Sequence, residues 1–267
     1  MFFGLRTTYG LRVLAAAASI VAAVGFAAAP ASAEEKVVRI GTEGAYPPFN
    51  FMDSEGKLQG FDVDIAVALC EKMKVKCEFV AQDWDGIIPA LQTKKYDAIV
   101  ASMSITAERK KVVDFTDKYY NTPTQFAAAK GTDIGDGSAK AMAGKTLGAQ
   151  SSTIQANMLE AVYKDSTVKL YATVDELYAD LSAGRVEAAL VDKLVTAEWL
   201  KTEAGSKFEF VGPAMYEPRE ILGDGVGIAV RKGDDELRLA FNKAIKEILE
   251  DGTYKKINDK YFPFLIY

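Results

Sequence analysis

Laying Trp84 to Ile105 over Val174 to Val195 without a gap, at a constant offset of ninety positions, brings Asp85 onto Asp175, Ile87 onto Leu177, Leu91 onto Leu181 and Ala98 onto Ala188. In the same register Tyr96-Asp97-Ala98-Ile99-Val100 meets Val186-Glu187-Ala188-Ala189-Leu190. Matched helix and strand patterns over such a stretch predict a chain of two similar lobes. Ser102 falls on Asp192, so the two should stand at equivalent strand ends, one in each lobe.

Each half reads as strand, helix, strand, the rhythm of a parallel sheet with helical cover. In the first, Val37 to Gly41 is a strand and Thr42 to Phe51 a loop stiffened by Pro47-Pro48. That loop carries Glu43 and Tyr46 at a strand's carboxyl end, where open α/β sheets bind ligands. Phe61, Ile65, Ala68, Leu69 and Met73 share one helical face, with Asp62 and Asp64 at its positive end. Cys77 to Val80 is a strand; Trp84 follows, then a helix through Ile87, Ile88 and Leu91, then a strand from Ala98 to Ala101. Asp114 to Gln125 is polar and aromatic, and Phe126 to Ala129 is an apolar run that carries the chain out of the first unit. The second unit begins with a strand at Lys145 to Gly148. Ser151-Ser152-Thr153 is a ready cap for a helix through Met158, Leu159 and Val162. Phe208 to Val211 and Val226 to Val230 are strands, joined irregularly through Tyr216 to Gly225. Asp234 then caps a long helix striped by Leu237, Phe241, Ile245 and Ile248, and a short helix ends near Tyr261.

The stretch Ile99-Val100-Ala101-Ser102-Met103-Ser104-Ile105-Thr106-Ala107-Glu108-Arg109 is shaped to hold an anion. Apolar residues fix a strand, hydroxyls gather past its end, and Arg109 offers a carboxylate two parallel N–H donors. Binding is the first reading, since the sequence contains no His, which removes the commonest general base and the Ser-His-Asp constellation.

The first residues read as a targeting segment: Arg6 and Arg12 give positive charge, Val13 to Ala29 is almost wholly apolar, and Ala31-Ser32-Ala33 is a small-residue cleavage site. Residues 1–33 are therefore expected to be a signal peptide cut near Ala33, leaving a mature chain outside the cytoplasm. The formal charge of -5 argues against general attraction to nucleic acid or to anionic membrane. Export favours a disulfide between Cys70 and Cys77 over two free buried thiols. No metal site and no cofactor are expected, because two thiolates without His do not fill a tetrahedral shell.

Several segments together carry a resemblance. Val38-Arg39-Ile40-Gly41-Thr42-Glu43 with Tyr46 and Pro48-Phe49, Gly60-Phe61-Asp62-Val63-Asp64, and Asp85-Gly86-Ile87-Ile88-Pro89-Ala90-Leu91 are three of them. Ser102-Met103-Ser104-Ile105-Thr106 with Arg109, Gly184-Arg185-Val186-Glu187-Ala188 before Asp192, and Asp251-Gly252-Thr253-Tyr254 are the others. Their order and spacing resemble the periplasmic polar amino-acid-binding proteins of ABC importers, the family of lysine/arginine/ornithine- and histidine-binding proteins. The resemblance implies a two-lobed α/β fold of the type II periplasmic-binding-protein kind. Each lobe would hold a mixed, mostly parallel sheet with helices on both faces, and two crossover strands would form the hinge. The first lobe would span residues 34–125 and return over 219–267, the second 126–218. The Cys70 and Cys77 pair also matches the disulfide of the basic-amino-acid members.

The same resemblance implies that Arg109 pairs with a ligand α-carboxylate, helped by Ser104, and that Asp192 takes the α-ammonium with the carbonyl of Ser102. Tyr46 and Trp84 would sandwich the ligand side chain, and Glu43 would meet its distal end. A long cationic side chain, that of arginine, lysine or ornithine, suits this lining. Two departures stand out. Ser152, Thr153 and apolar Ile154 occupy places where many relatives have a glycine and two hydroxyl residues, leaving a backbone N–H beside Thr153 to meet a carboxylate. Glu43 and Gln150 replace the Asp and Leu of some lysine-type members, and the pair resembles opine-binding relatives, where Gln150 would meet a second carboxylate. The expected partners are the amino-acid ligand and an inner-membrane ABC permease, with a monomeric chain. The competing readings are a periplasmic dehydratase on the same scaffold and a sensor that presents ligand to a membrane receptor.

Overall fold

The computed structural model describes residues 36–267, so the signal peptide expected over 1–33 and its cleavage near Ala33 lie outside the described residues. Strand β1 (Val37–Thr42) leads into a small antiparallel sheet of β2 (Ala45–Tyr46), β3 (Asn50–Met52) and β4 (Leu58–Gln59). This replaces the irregular loop expected over Thr42 to Phe51. Strands of two or three residues offer no alternation to read, and the Pro47-Pro48 pair sits between β2 and β3.

Helix α1 (Phe61–Met73), β5 (Lys76–Ala81), α2 (Ile87–Gln92) and β6 (Ala98–Ile99) follow as the sequence predicts. Gly60 opens α1 at φ 124, and a Cβ there would stand 2.2 Å from the Phe49 carbonyl oxygen, so only glycine fits the turn. Strand β7 (Val113–Tyr120) was hidden in the polar and aromatic region, because Asp114, Asp117 and Lys118 interrupt its apolar residues. The chain continues through β8 (Thr124–Ala129), β9 (Thr146–Gln150), α3 (Ile154–Val162), β10 (Thr167–Tyr171), α4 (Val174–Ser182), β11 (Ala188–Asp192), α5 (Lys193–Trp199) and β12 (Phe208–Met215). A short α6 (Arg219–Leu222) lies in the connection read as irregular, before β13 (Val226–Arg231), α7 (Asp235–Glu250) and α8 (Thr253–Tyr261).

Two five-stranded sheets result, ordered β5-β1-β6-β13-β7 and β10-β9-β11-β8-β12. In each, the first three strands pair in parallel, and the fourth runs against its two neighbours. That odd strand is the one arriving from the other sheet: β8 follows β7 across residues 121–123, and β13 follows β12 across 216–225. The offset repeat is thus a repeat of topology. Thr124 and Gln125, expected in the first lobe, pair with Asp192 and Val191 of β11. Leu222, expected in the return segment, packs with Phe126 and Leu159 of the second lobe. A change of sheet is decided by backbone pairing, which local hydrophobicity does not encode.

Helices cover both faces of each sheet. Phe61, Ile65 and Leu69 of α1 meet Phe241, Ile245 and Ile248 of α7 over one face of the first sheet, while Ile87 and Leu91 of α2 join Ile99 and Phe115 on the other. In the second, Ala156, Met158 and Leu159 of α3 pack with Leu147 and Leu190, and Leu177, Tyr178 and Leu181 of α4 with Ala189 and Val191.

Cys70 in α1 and Cys77 in β5 form a disulfide, with Cα atoms 5.9 Å apart. It pins the end of the helix to the strand that follows, and closing so short a loop should contribute about 2–3 kcal/mol. Intact mass of the purified protein should rise by two hydrogens on reduction, with a matching loss of thermal stability. Two thiols that alkylate freely before reduction would contradict the bond.

Candidate ligand-binding site

Between the two sheets lies a cavity of about 530 Å³, and all nine residues singled out from sequence line it. Glu43 stands just past β1, Tyr46 on β2, Trp84 on a short 3-10 turn after β5, Ser102 and Ser104 past β6, and Arg109 on a second 3-10 turn. From the other lobe come Gln150 at the end of β9, Thr153 at the cap of α3 and Asp192 at the end of β11. Parallel strands that point the same way deliver their carboxyl ends to one cleft, which is why residues so distant in sequence converge.

Arg109 holds its guanidinium 5.3 Å from the centroid of the Trp84 ring. Its Nη1 donates to the Ser104 carbonyl at 3.0 Å and its Nη2 to the Ser152 carbonyl at 3.2 Å. Among the described residues no carboxylate lies within ion-pair distance of it. Arg109 keeps some accessible surface, as a cavity-lining residue does, yet its depth in the cleft pushes its pKa down to about 10.

Asp192 is the opposite case. It is buried, caps α5 by accepting from the Leu194 and Val195 N–H groups at 2.7 and 3.3 Å, and accepts from the Thr122 hydroxyl. Burial pushes its pKa up to about 6 against the lowering effect of those donors, and no Lys or Arg pairs with it among the described residues. Glu43 is likewise raised to about 7 by burial, tempered by a 2.6 Å hydrogen bond from Gln150 Nε2. That amide also donates to the Ala172 carbonyl at 2.9 Å, so both its N–H groups are engaged.

Thr153 spends its hydroxyl locally, accepting from Ala156 N–H at 3.1 Å and donating to the Gln150 carbonyl at 2.7 Å. Further bonds cross the cleft: Trp84 Nε1 donates to the Ser152 carbonyl at 3.2 Å, and the Ser151 hydroxyl bonds the Asp85 carboxylate at 2.9 Å. The lobes are therefore in contact over the cavity. Sequence reasoning missed Thr122 and Asn121 on the first crossing, Met215 at the end of β12, and Tyr216 and Asp224 on the return, all lining the cavity. No periodicity marks them; only their proximity to Pro123 and Pro218, which punctuate the crossings, was available as a signal.

Two α/β lobes of this strand order, enclosing a charged cavity at their strand ends, define the class of type II periplasmic binding proteins. Within it the chain belongs to the bacterial extracellular solute-binding proteins, family 3, with the match spanning residues 38–264. It is 46% identical over 241 residues to an L-arginine-binding protein of Pseudomonas aeruginosa, covering 89% of this chain and 92% of that one. It is 40% identical over 254 residues to a lysine/arginine/ornithine-binding periplasmic protein of Escherichia coli, covering 94% and 97%. The solved structure of an ancestral arginine-binding protein bound to arginine superposes with a TM-score of 0.79 at 40% identity, covering 85% of this chain and 99% of that one. These relatives are named as binding proteins.

Proposed function

We propose that the chain is the extracytoplasmic substrate-binding component of an ABC importer that captures a basic amino acid of the arginine, lysine and ornithine class. One observation carries the reading: a deep cation, Arg109, and a buried acid, Asp192, face one cavity from different lobes, and neither has an oppositely charged protein partner. Desolvated charges of opposite sign need partners, and a zwitterion supplies both. Its α-carboxylate goes to the guanidinium fork of Arg109 beside Ser104, and its α-ammonium to Asp192 and the Ser102 carbonyl. The backbone N–H beside Thr153 adds to the carboxylate site. Tyr46 and Trp84 flank the side chain, and Glu43 meets a distal cation. The named ligands of the relatives support this class.

Gln150 has both amide N–H groups engaged with Glu43 and Ala172, which leaves no donor for the second carboxylate of an opine and favours the basic amino acid. We read the protein as a binder rather than a dehydratase, since Asp192 is tied by three donors in a capping role that suits gripping an ammonium rather than moving a proton. The chain would be exported, cut near Ala33, act as a periplasmic monomer and dock on an inner-membrane permease. Its two lobes would open and close about the two crossings, residues 121–123 and 216–225. A thermal-shift panel of the common amino acids with octopine and nopaline tests the ligand. Arginine, lysine or ornithine at a hundred times its dissociation constant should stabilise the protein by about 2.7 kcal/mol. Stabilisation by glutamate or leucine, and not by the basic set, would overturn the assignment.

A further inference from the structure

Hydrogen-bonded to Ser102 of the cavity lining is Asp62, a fully buried carboxylate in the first turn of α1 with no Lys or Arg in ion-pair distance among the described residues. Its Oδ1 accepts from the Tyr119 hydroxyl at 2.7 Å, and its Oδ2 accepts from Asn50 Nδ2 and from the Ser102 hydroxyl, both at 2.9 Å. The three donors come from segments far apart in sequence: the β2–β3 hairpin, the turn after β6, and the end of β7 beside the first crossing. Asn50 extends the chain of bonds, its Oδ1 accepting at 2.9 Å from the N–H of Gly44, the residue after Glu43.

Only an ionised carboxylate accepts three donors on two oxygens without offering one of its own; an asparagine in its place would present an N–H to a site full of donors. A buried charge held this way is costly unless the bonds it makes are needed. Ser102 supplies the need. It sits at φ 54, a left-handed conformation that non-glycine residues disfavour, and its tether to Asp62 holds it there.

We propose that Asp62 is the positioning residue of the site, holding Ser102 and, through Asn50, the Glu43 loop in the geometry that the ligand meets. This rests on the reading that a ligand ammonium meets Ser102. Titration calorimetry with L-arginine on a double-mutant cycle tests it. Asp62→Asn should weaken binding by about tenfold or more and Ser102→Ala by a few-fold, the scale of losing one or two hydrogen bonds. Because the two act through one contact, the double variant should bind no more weakly than Asp62→Asn alone. Ile245→Ala, which opens a cavity in the packing of α7 away from the cleft, should lower the melting temperature yet keep the wild-type affinity. If Asp62→Asn does not fold, Ser102→Ala and Tyr119→Phe replace it, each expected to weaken binding a few-fold without the additivity of separate sites. A wild type that binds none of L-arginine, L-lysine and L-ornithine overturns the functional reading and this inference with it. A wild type that binds, alongside variants with unchanged affinity or strictly additive losses, overturns the inference alone.

Discussion

Asp192→Ala should weaken L-arginine binding by roughly thirty- to several-thousand-fold, the 2–5 kcal/mol or more that follows when a buried ammonium loses its acid. The same change removes the cap of α5, where Asp192 accepts from Leu194 and Val195, so stability should also fall, by about 1 kcal/mol. Asp192→Asn separates the two effects, keeping an acceptor for the cap while deleting the charge; its stability should stay near wild type and its affinity should not. The pH profile of the wild type gives a second view. Asp192 and Glu43 are raised to about 6 and about 7, so a cationic ligand meets charged acids only as the pH rises through that window. Affinity for arginine should therefore increase from pH 5.5 to pH 8. Stability of the unliganded protein should move the other way. A carboxylate whose folded pKa is raised contributes stability that is present below its ordinary pKa and lost as the pH passes the raised one. Calorimetry across this range on wild type and Asp192→Asn checks both slopes, and a flat wild-type affinity would place the cation elsewhere.

Arg109→Ala should cost affinity on the same scale, because the ligand carboxylate would enter the cleft without its fork of donors. Arg109→Lys should recover only part of the loss, since an ammonium restores charge but not the paired geometry or the stacking on Trp84. Agmatine, which is arginine without its carboxylate, identifies the contact. Arg109→Ala should bring arginine affinity down toward that of agmatine and leave agmatine itself nearly unchanged. Equal losses for both ligands would mean that Arg109 supports the cleft through its bonds to Ser104 and Ser152 rather than through the carboxylate.

The residues that reach the cavity were legible because strand ends are legible. Val37 to Gly41 and Ala98 to Ala101 read as strands, so Glu43 and Ser102 could be placed past them, and the offset repeat put Asp192 opposite Ser102. What stayed hidden depends on pairing rather than on local pattern. Strands β2 to β4 are too short to show alternation, and β7 is broken by charged residues that sit at the sheet's margin. Thr122, which donates to Asp192, lies on a crossing whose position no propensity sets. Asp62 looked like a residue chosen for the positive end of α1. Its three donors, from Asn50, Ser102 and Tyr119, became visible only when the hairpin, the β6 turn and β7 were brought together.

The strand that each sheet borrows from across the molecule also sets an order of folding. The first sheet cannot close on residues 37–120 alone: β13 must insert between β6 and β7, and α7 must lie down on α1, after the whole second lobe has been threaded. Such late, sequence-distant contacts slow folding, because the loop must close before the pairing rewards it. A chain read from its first residue therefore carries an unfinished sheet, with β6 and β7 lacking the strand between them, until β13 near its carboxyl end arrives.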